Sequence, residues 1–227
     1  EVARMTEAAR LASLALASAR IEAGVTERDI RDELEFTMRV HGADGPSYET
    51  IVASGPENAA MAHHRPTSRA LVEGDTVVID VGALLDGYHS DMTRTFIVGE
   101  PSPEQERWYR VLARAQQAGL EAIRAGVGTR DVDAACRAVL AEEGLADLFS
   151  HGTGHGVGLD IHEEPFLGRS TESVLATGDV VTVEPGLYRV GAGGMRIEDL
   201  VLVTESGHRS LTDFPKDDPC PPSPPTT

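Results

Sequence analysis

The stretch at 73–82 reads EGDTVVIDVG, and the stretch at 177–186 reads TGDVVTVEPG. Both combine a Gly-Asp pair with a β-branched run that ends in an acidic residue, so Asp80 and Glu184 occupy equivalent positions. A second match lies upstream, where GVTERDI at 24–30 returns as GVGTRDV at 126–132. The sequence therefore predicts a duplicated unit of two helices followed by strands, with about a hundred residues per copy, and Thr26 and Thr129 are expected to cap the second helix of each copy.

A β-hairpin is predicted directly after the first copy of this stretch. Asp86 and Gly87 form a typical two-residue turn between the strand that ends at Asp80 and a returning strand over 88–98. In this register Asp80 and Asp91 are diagonal neighbours on one face, roughly 7 to 8 Å apart. Two carboxylates this close repel each other unless a cation lies between them. The hairpin alone also permits another interpretation, in which Asp91 is solvated and Asp80 caps the strand end.

Five residues with side chains suited to divalent metal ions follow strand-like or glycine-rich segments. The second copy resembles the first, because Glu184 is followed by a second acidic residue, Glu198, on the predicted returning strand. The stretch HGTGHGVGLDIHEEP at 151–165 adds three imidazoles among glycines that allow a substrate to approach closely. Four carboxylates and one imidazole exceed what a single zinc site uses, which indicates a two-metal centre that activates water. The five residues are Asp80, Asp91, His155, Glu184 and Glu198.

Composition restricts the class of protein. The net charge of −17 argues against a nucleic-acid or anionic-membrane partner, and no apolar run is long enough to span a bilayer. The two cysteines, Cys136 in a helical stripe and Cys220 in a proline-rich tail, do not suggest a structural disulfide and favour the cytoplasm. We expect one compact catalytic domain over residues 1–214, with repeats at about 1–100 and 104–206, and a disordered tail over 215–227.

The motifs together resemble those of the pita-bread metallopeptidases, which include aminopeptidase P, prolidase and methionine aminopeptidase. The resemblance covers residues 1–206 and is carried by IDVG at 79–82, SDMTRTF at 90–96, the histidine-rich stretch at 151–163, VEPG at 183–186 and RIED at 196–199. It implies an α+β fold in which two pseudo-twofold halves form a curved, mainly antiparallel sheet covered by helices. It also implies two divalent metal ions, manganese first and cobalt or zinc as alternatives.

The resemblance assigns roles to individual residues. The five residues named above would hold the two ions, with Asp91 and Glu198 bridging them, and His155 would be the one clustered histidine that touches metal. The neighbouring His64 is expected to be solvated. The histidines expected to face the substrate are His63, His151 and His162.

The motif RIED resembles that of the proline-specific members, which implies cleavage between an N-terminal residue and proline in a small peptide. Glu184 would carry a proton from water to the leaving nitrogen, and His162 would stabilise the oxyanion. Arg196 would orient Glu198 or a bridging carboxylate.

Three alternatives share the fold. A methionine aminopeptidase would use the same metal site on a different substrate. Creatinase-like hydrolases and non-catalytic peptide-binding modules normally replace the ligands, and all five are present here. The proline-specific members usually carry an additional N-terminal domain that is missing from this chain, which we expect to begin inside a longer protein and to form a homodimer.

Overall fold

The structure of the protein, a computed structural model, describes residues 1–221. The first half contains, in chain order, α1 (Val2–Ser18), α2 (Glu27–Val40), β1 (Gly45–Pro46), β2 (Ile51–Ser54), α3 (Gly55–Asn58), β3 (Thr76–Asp80), β4 (Ala83–Leu85), β5 (Tyr88–His89) and β6 (Thr93–Ile97). The second half contains α4 (Pro103–Ala122), α5 (Thr129–Glu142), a 3₁₀ turn (Ala146–Leu148), β7 (Gly154–Gly156), β8 (Glu163–Leu167), β9 (Val180–Val183), β10 (Gly186–Arg189), β11 (Gly193–Arg196), β12 (Asp199–Val203) and β13 (His208–Ser210).

Strand pairing among residues 1–221 is antiparallel throughout. The sheets have the orders β1-β4-β5 and β2-β3-β6 in the first half, and β10-β11 and β13-β12-β9-β7-β8 in the second. Two main apolar clusters lie mostly within one half each. One includes Ile30 of α2 and Ile79 of β3, and the other includes Cys136 of α5 and Val183 of β9. The predicted α+β class with a mainly antiparallel sheet is confirmed.

The two halves repeat the same backbone hydrogen bonds. The amide of Gly24 donates to the carbonyl of Leu71 at 2.9 Å, and the amide of Gly126 donates to that of Leu175 at 2.8 Å. The isolated β-bridges are matched in the same way, Thr26 with Ala70 and Gly128 with Val174. The repeat seen in the sequence is therefore a repeat in the backbone.

The halves join where β6 meets the end of β11. The hydroxyl of Thr95 donates to the carbonyl of Arg196 at 2.8 Å and accepts from its amide at 2.9 Å. Next to this contact, the amide of Glu198 donates to the carbonyl of Thr93 at 3.1 Å. This joint brings acidic residues of one half beside those of the other.

The predicted hairpin register is confirmed at both ends. Leu85 pairs with Tyr88 across the turn, and Asp80 pairs with Thr93 at the base. Asp86 has a φ of 51°, as this tight turn requires. The hairpin thus holds Asp80 at the end of β3 while the chain returns towards β6.

The N-cap of the second helix is the predicted residue in the first half but not in the second half. Thr26 caps α2 as predicted, because its hydroxyl accepts from the amide of Asp29 at 3.1 Å and the Asp29 carboxylate accepts from the amide of Thr26 at 3.1 Å. Thr129, expected as the equivalent cap, is instead the first residue of α5. Its buried hydroxyl lies 2.9 Å from that of Thr171, a packing contact that sequence periodicity does not reveal.

The beginning of the predicted disordered tail is attached to the domain. Arg94 donates from Nε to the carbonyl of Pro215 at 3.2 Å, and the amide of Ile97 donates to the carbonyl of Pro219 at 2.9 Å. Proline has no amide hydrogen, but its carbonyl still accepts. Lys216 adds an ion pair with Asp199 and a hydrogen bond to Gln116 at 2.8 Å. Residues 222–227 of the predicted tail lie outside the described residues. No helix in the described chain is both long and apolar enough to cross a membrane.

Candidate metal centre

One cavity, with a volume of about 960 Å³, brings together all the residues that the sequence predicted for the site. Both halves of the molecule contribute to its walls. The predicted residues that line it are His63, Asp80, Asp91, His151, His155, His162, Glu184, Arg196 and Glu198.

Three buried residues at the centre of the cavity could hold a metal ion. Asp91 precedes β6, His155 is the middle residue of β7, and Glu198 directly precedes β12. One ligand atom from each lies within 4.8 Å of those of the other two. Asp80 and Glu184 line the same cavity beside this cluster, so the five predicted ligands adjoin one another.

His155 presents one ring nitrogen to the acidic residues. Its Nδ1 lies 3.0 Å from the carbonyl of Gly156, to which it can only donate, and this leaves Nε2 as the metal-facing nitrogen. Nε2 lies 3.3 Å from Oε1 of Glu184 and 3.5 Å from Oδ2 of Asp91. Although burial lowers the pKa of His155, these two carboxylates raise it to about 9. The carboxylates thus draw positive charge to the position that a metal ion would take.

Asp91 and Glu198 lie among other acidic side chains with little positive charge to offset them. Burial raises the pKa of Asp91 well above its usual range, and the charge of Asp80 raises it further. Burial and the charge of Asp91 likewise raise the pKa of Glu198. Divalent cations would offset this repulsion, and carboxylate oxygens with one imidazole nitrogen suit manganese, cobalt or zinc. The residues present therefore fit a divalent metal centre.

Tyr48 belongs to the site, although sequence reasoning missed it. Its hydroxyl lies 2.5 Å from Oδ1 of Asp91 and is also in contact with Oδ1 of Asp80. Burial and the charges of both carboxylates raise the pKa of Tyr48. Tyr48 lies in an irregular segment before β2, and it reaches Asp80 because β2 pairs with β3, a long-range contact without a local sequence signal.

Arg196 supports the acidic cluster from behind. Its Nη2 donates to Oδ2 of Asp80 at 2.7 Å, and its Nε donates to the hydroxyl of Thr93 at 3.0 Å. Thr93 in turn donates to Oε2 of Glu198 at 2.6 Å. The predicted direct partner was Glu198 or a bridging carboxylate, whereas Arg196 contacts Asp80 directly and reaches Glu198 through Thr93.

His151 lines the cavity, but both of its ring nitrogens are engaged by the protein. Nδ1 lies 2.7 Å from the carbonyl of Gly152, and Nε2 lies 2.9 Å from the hydroxyl of Tyr188. Tyr188 also accepts a hydrogen bond from Nη1 of Arg196 at 2.8 Å. Burial lowers the pKa of His151, which agrees with a neutral ring that donates from Nδ1 and accepts at Nε2. His162 is placed more directly over the ligands, with its ring centre 4.3 Å from that of His155.

The adjacent histidines His63 and His64 both line the cavity but differ in exposure. The side chain of His63 is exposed. His64 is only 7% exposed, and its Nε2 lies 2.9 Å from a carboxylate oxygen of Glu27. The prediction of a solvated His64 is wrong, because Glu27 provides a buried acceptor that the sequence pattern did not reveal.

Comparison with known proteins identifies the family of the chain. Residues 3–205 match metallopeptidase family M24. The chain belongs to this family. The Xaa-Pro dipeptidase of Pyrococcus furiosus, for example, is 40% identical over 214 residues, which cover 93% of this chain and 61% of that protein.

Solved M24 structures superpose on nearly all of the chain. An Xaa-Pro dipeptidase from Bacillus anthracis has a TM-score of 0.94 and 42% identity, over 96% of this chain and 62% of that one. An X-Pro aminopeptidase from Thermotoga maritima has a TM-score of 0.93 and 37% identity, also over 96% and 62%. These matches confirm the pita-bread fold. The chain spans about 61% of the length of the first curated relatives it matches. Family membership and the buried cluster together support the binding of divalent metal ions.

Proposed function

We propose that this M24 protein hydrolyses the bond between an N-terminal residue and proline in small peptides. The observation that carries the proposal is the buried cluster of Asp91, His155 and Glu198 inside a cavity that is also lined by His63 and His162. The relatives named Xaa-Pro dipeptidase and X-Pro aminopeptidase support the same substrate class.

The proposed cofactor is a pair of manganese ions, with cobalt or zinc able to replace them. The residues that would hold the pair are Asp80, Asp91, His155, Glu184 and Glu198. Ions in such a centre lower the pKa of a water molecule and polarise the scissile carbonyl.

Glu184 is the proposed proton carrier. It follows β9 directly, and its Oε1 accepts a hydrogen bond from Thr182 at 3.2 Å. Burial raises the pKa of Glu184, but contact with His155 lowers it overall, so the carboxylate is ionised. It takes a proton from the attacking water and returns it to the proline nitrogen as the peptide bond breaks.

The histidines and Arg196 have separate proposed roles. His162 donates a hydrogen bond to the oxygen that becomes negative during attack, and His63 contacts the substrate from the opposite wall. His151, fixed by Gly152 and Tyr188, shapes the wall between them. Arg196 keeps Asp80 in position.

Proline in the second position suits the walls of this cavity. Its nitrogen carries no hydrogen after peptide bond formation, so the site needs no acceptor there, and the ring can pack against apolar side chains such as Ile161 and Phe166. A peptide with alanine in that position leaves an N–H without a partner and fills less of the cavity. Each defect weakens transition-state binding by roughly 1 to 3 kcal/mol.

The test is hydrolysis of Ala-Pro and Ala-Ala peptide pairs by protein loaded with manganese, near neutral pH. We expect kcat/KM to be at least about tenfold higher for the proline peptides and to fall to background after chelation. Equal rates for the two peptides, or a preference for Met-Ala-Xaa, would contradict the proline-specific proposal and leave the metal centre intact. Full activity in metal-free protein would contradict the centre itself.

Two further attributes belong to this proposal. A reducing, cytoplasmic location is supported by two free thiols, Cys136 and Cys220. A homodimer is proposed from the family resemblance, and sedimentation of the purified protein tests it. The net charge of −17 supports a small-peptide substrate rather than nucleic acid.

A further inference from the structure

Glu27, the first residue of α2, is a fully buried carboxylate outside the metal centre. Its Oε1 accepts from the amide of Ser54 at 2.8 Å, the hydroxyl of Ser54 at 2.7 Å and the side-chain amide of Asn58 at 2.9 Å. Its Oε2 accepts from Nε2 of His64 at 2.9 Å, the amide of Thr67 at 2.9 Å and the hydroxyl of Thr67 at 2.7 Å. An ionised carboxylate has about four lone-pair positions, so Glu27 is saturated with donors.

All of these donors lie in one stretch of chain, residues 54–67, which we call the His63 segment. Beyond α3, this segment and the residues up to β3 form an irregular connection without regular helix or strand. Such a connection cannot fix its own shape through a repeating hydrogen-bond pattern. Glu27 provides the missing anchor, because it holds the segment at its beginning, in its middle and at its end.

His63 lies between two anchored neighbours. On one side, the carbonyl of Ala62 accepts a hydrogen bond from Nη1 of Arg196 at 3.2 Å. On the other side, the ring of His64 is held by Glu27. The side chain of His63 is left exposed to the cavity. The backbone that carries His63 is therefore fixed from both directions, although its ring is available to a substrate.

We propose that Glu27 and His64 are positioning residues that hold His63 on the substrate wall of the metal centre. This inference rests on the proposed hydrolase function. Buried polar groups select one conformation in some proteins, in addition to any effect on stability. Selection of one conformation matters here, because a misplacement of about 1 Å in a substrate-positioning group can lower a rate on the order of a hundredfold.

The test uses His64→Phe, which keeps a ring in the buried position and removes the nitrogen that donates to Glu27. Asp29→Ala is the matched control, because Asp29 caps the same end of α2 and makes no hydrogen bond to the His63 segment. Manganese-loaded His64→Phe is expected to retain its metal and to lose about tenfold in kcat/KM on Ala-Pro peptides. The control should keep the wild-type kcat/KM.

A double-mutant cycle separates positioning from general damage. His63→Ala and His63→Ala/His64→Phe should have the same kcat/KM and the same division of the loss between kcat and KM, because His64 acts through His63. Additive losses would overturn the proposal. So would wild-type kcat/KM in His64→Phe.

Amide hydrogen exchange provides a readout that does not depend on any substrate. Exchange over residues 59–67 should be faster in His64→Phe than in wild type, and unchanged in Asp29→Ala. If wild type does not cleave Ala-Pro, the proposed function fails, and exchange still decides whether His64 anchors the segment. Unchanged exchange in His64→Phe overturns the positioning proposal even if the peptidase activity is established. Glu27→Gln is a second variant, expected to speed exchange over the same residues.

Discussion

The two halves of the molecule differ at the start of their second helices, where the repeat is most regular. The first half has Glu27 and the second half has Thr129 at the equivalent position. Glu27 binds the segment that carries His63, whereas the hydroxyl of Thr129 bonds to Thr171 and to the carbonyl of Ser173. The same backbone position thus bonds to the His63 segment in one half and to residues 171–173 in the other, where Thr171 also lines the cavity.

In the second half, the backbone at His151 is held by a different set of side chains, which begins one turn after Thr129 in α5. Asp133 forms a buried ion pair with Arg137 at 2.7 Å, and Arg137 donates to the carbonyls of Phe149 at 3.0 Å and of His151. An arginine fork that bonds to carbonyls fixes the backbone beside the cavity. Duplication therefore kept the backbone bonds, while the side chains that shape the site diverged.

Substitutions of Asp91 and Glu198 test whether the halves contribute equally to the proposed metal centre. Asp91→Asn in the first half and Glu198→Gln in the second should each lower metal content and reduce activity on the order of a hundredfold, because each removes one negative charge from the buried cluster that would hold the ions. Metal analysis and peptide hydrolysis on the same preparations measure both effects. Normal metal content in only one of the variants would show that the two carboxylates do not contribute equally to metal binding.

Two histidines of the second half, His155 in β7 and His162 just before β8, are expected to differ in their effect on metal binding. His155→Ala should lose metal, since Nε2 faces the carboxylates. His162→Ala should retain metal and lose activity by roughly ten- to a hundredfold, because it removes one donor to the oxyanion. Comparable metal loss in both variants would reverse the two assignments.

Because Glu27 is ionisable, the free energy of unfolding is expected to depend on pH through this residue, whereas Thr129 at the equivalent position of the second half carries no carboxylate. Burial raises the pKa of Glu27, but hydrogen bonds from Asn58, Ser54 and His64 outweigh this and lower it from the usual 4.5 to about 2. A depressed acid pKa adds stability above the unfolded value, and this stability is lost as the pH falls towards 2. The shift corresponds to roughly 3 kcal/mol, to order of magnitude.

The measurement is denaturant unfolding of wild type and Glu27→Gln between neutral pH and about pH 2, a range set by that pKa. The stability difference should be constant above about pH 5 and shrink below it. A difference that stays constant down to pH 2 would mean that Glu27 is not ionised in the folded protein.

The helix starts give the smallest expected effect. Asp29 completes the cap of α2, whereas α5 begins after Gly128 without a side-chain cap. Asp29→Ala should lower the free energy of unfolding by about 1 kcal/mol, and Asp131→Ala at the equivalent position by less than about 0.5 kcal/mol. Equal losses in thermal unfolding would show that both helix starts depend on their acid.

The sequence predicted those features that rest on local patterns or on the repeat. The strand ends at Asp80 and Glu184 follow from the two copies of one stretch, and the register of Asp80 follows from counting around the turn at Asp86. The resemblance to M24 motifs supplied the candidate roles of the histidines.

The features that sequence reasoning missed depend on contacts between distant segments. Tyr48 meets Asp80 through strand pairing, and His64 meets Glu27 across 37 positions of chain. The tail was expected to be disordered from its proline content, yet carbonyls at Pro215 and Pro219 accept hydrogen bonds from the domain. None of these partners can be identified by local periodicity, because the donors and acceptors come from different elements.

The joint between β6 and the end of β11 has a consequence for how the protein is made. Asp91 leaves the ribosome long before Glu198, so a nascent chain that has completed the first half holds acidic residues without their partners. The bond between Glu198 and Thr93 forms only after the second half has been translated. Filling of the proposed metal centre would therefore have to wait until residue 198 has been translated, and a chain interrupted before that point lacks one of the proposed ligands however well its first half has folded.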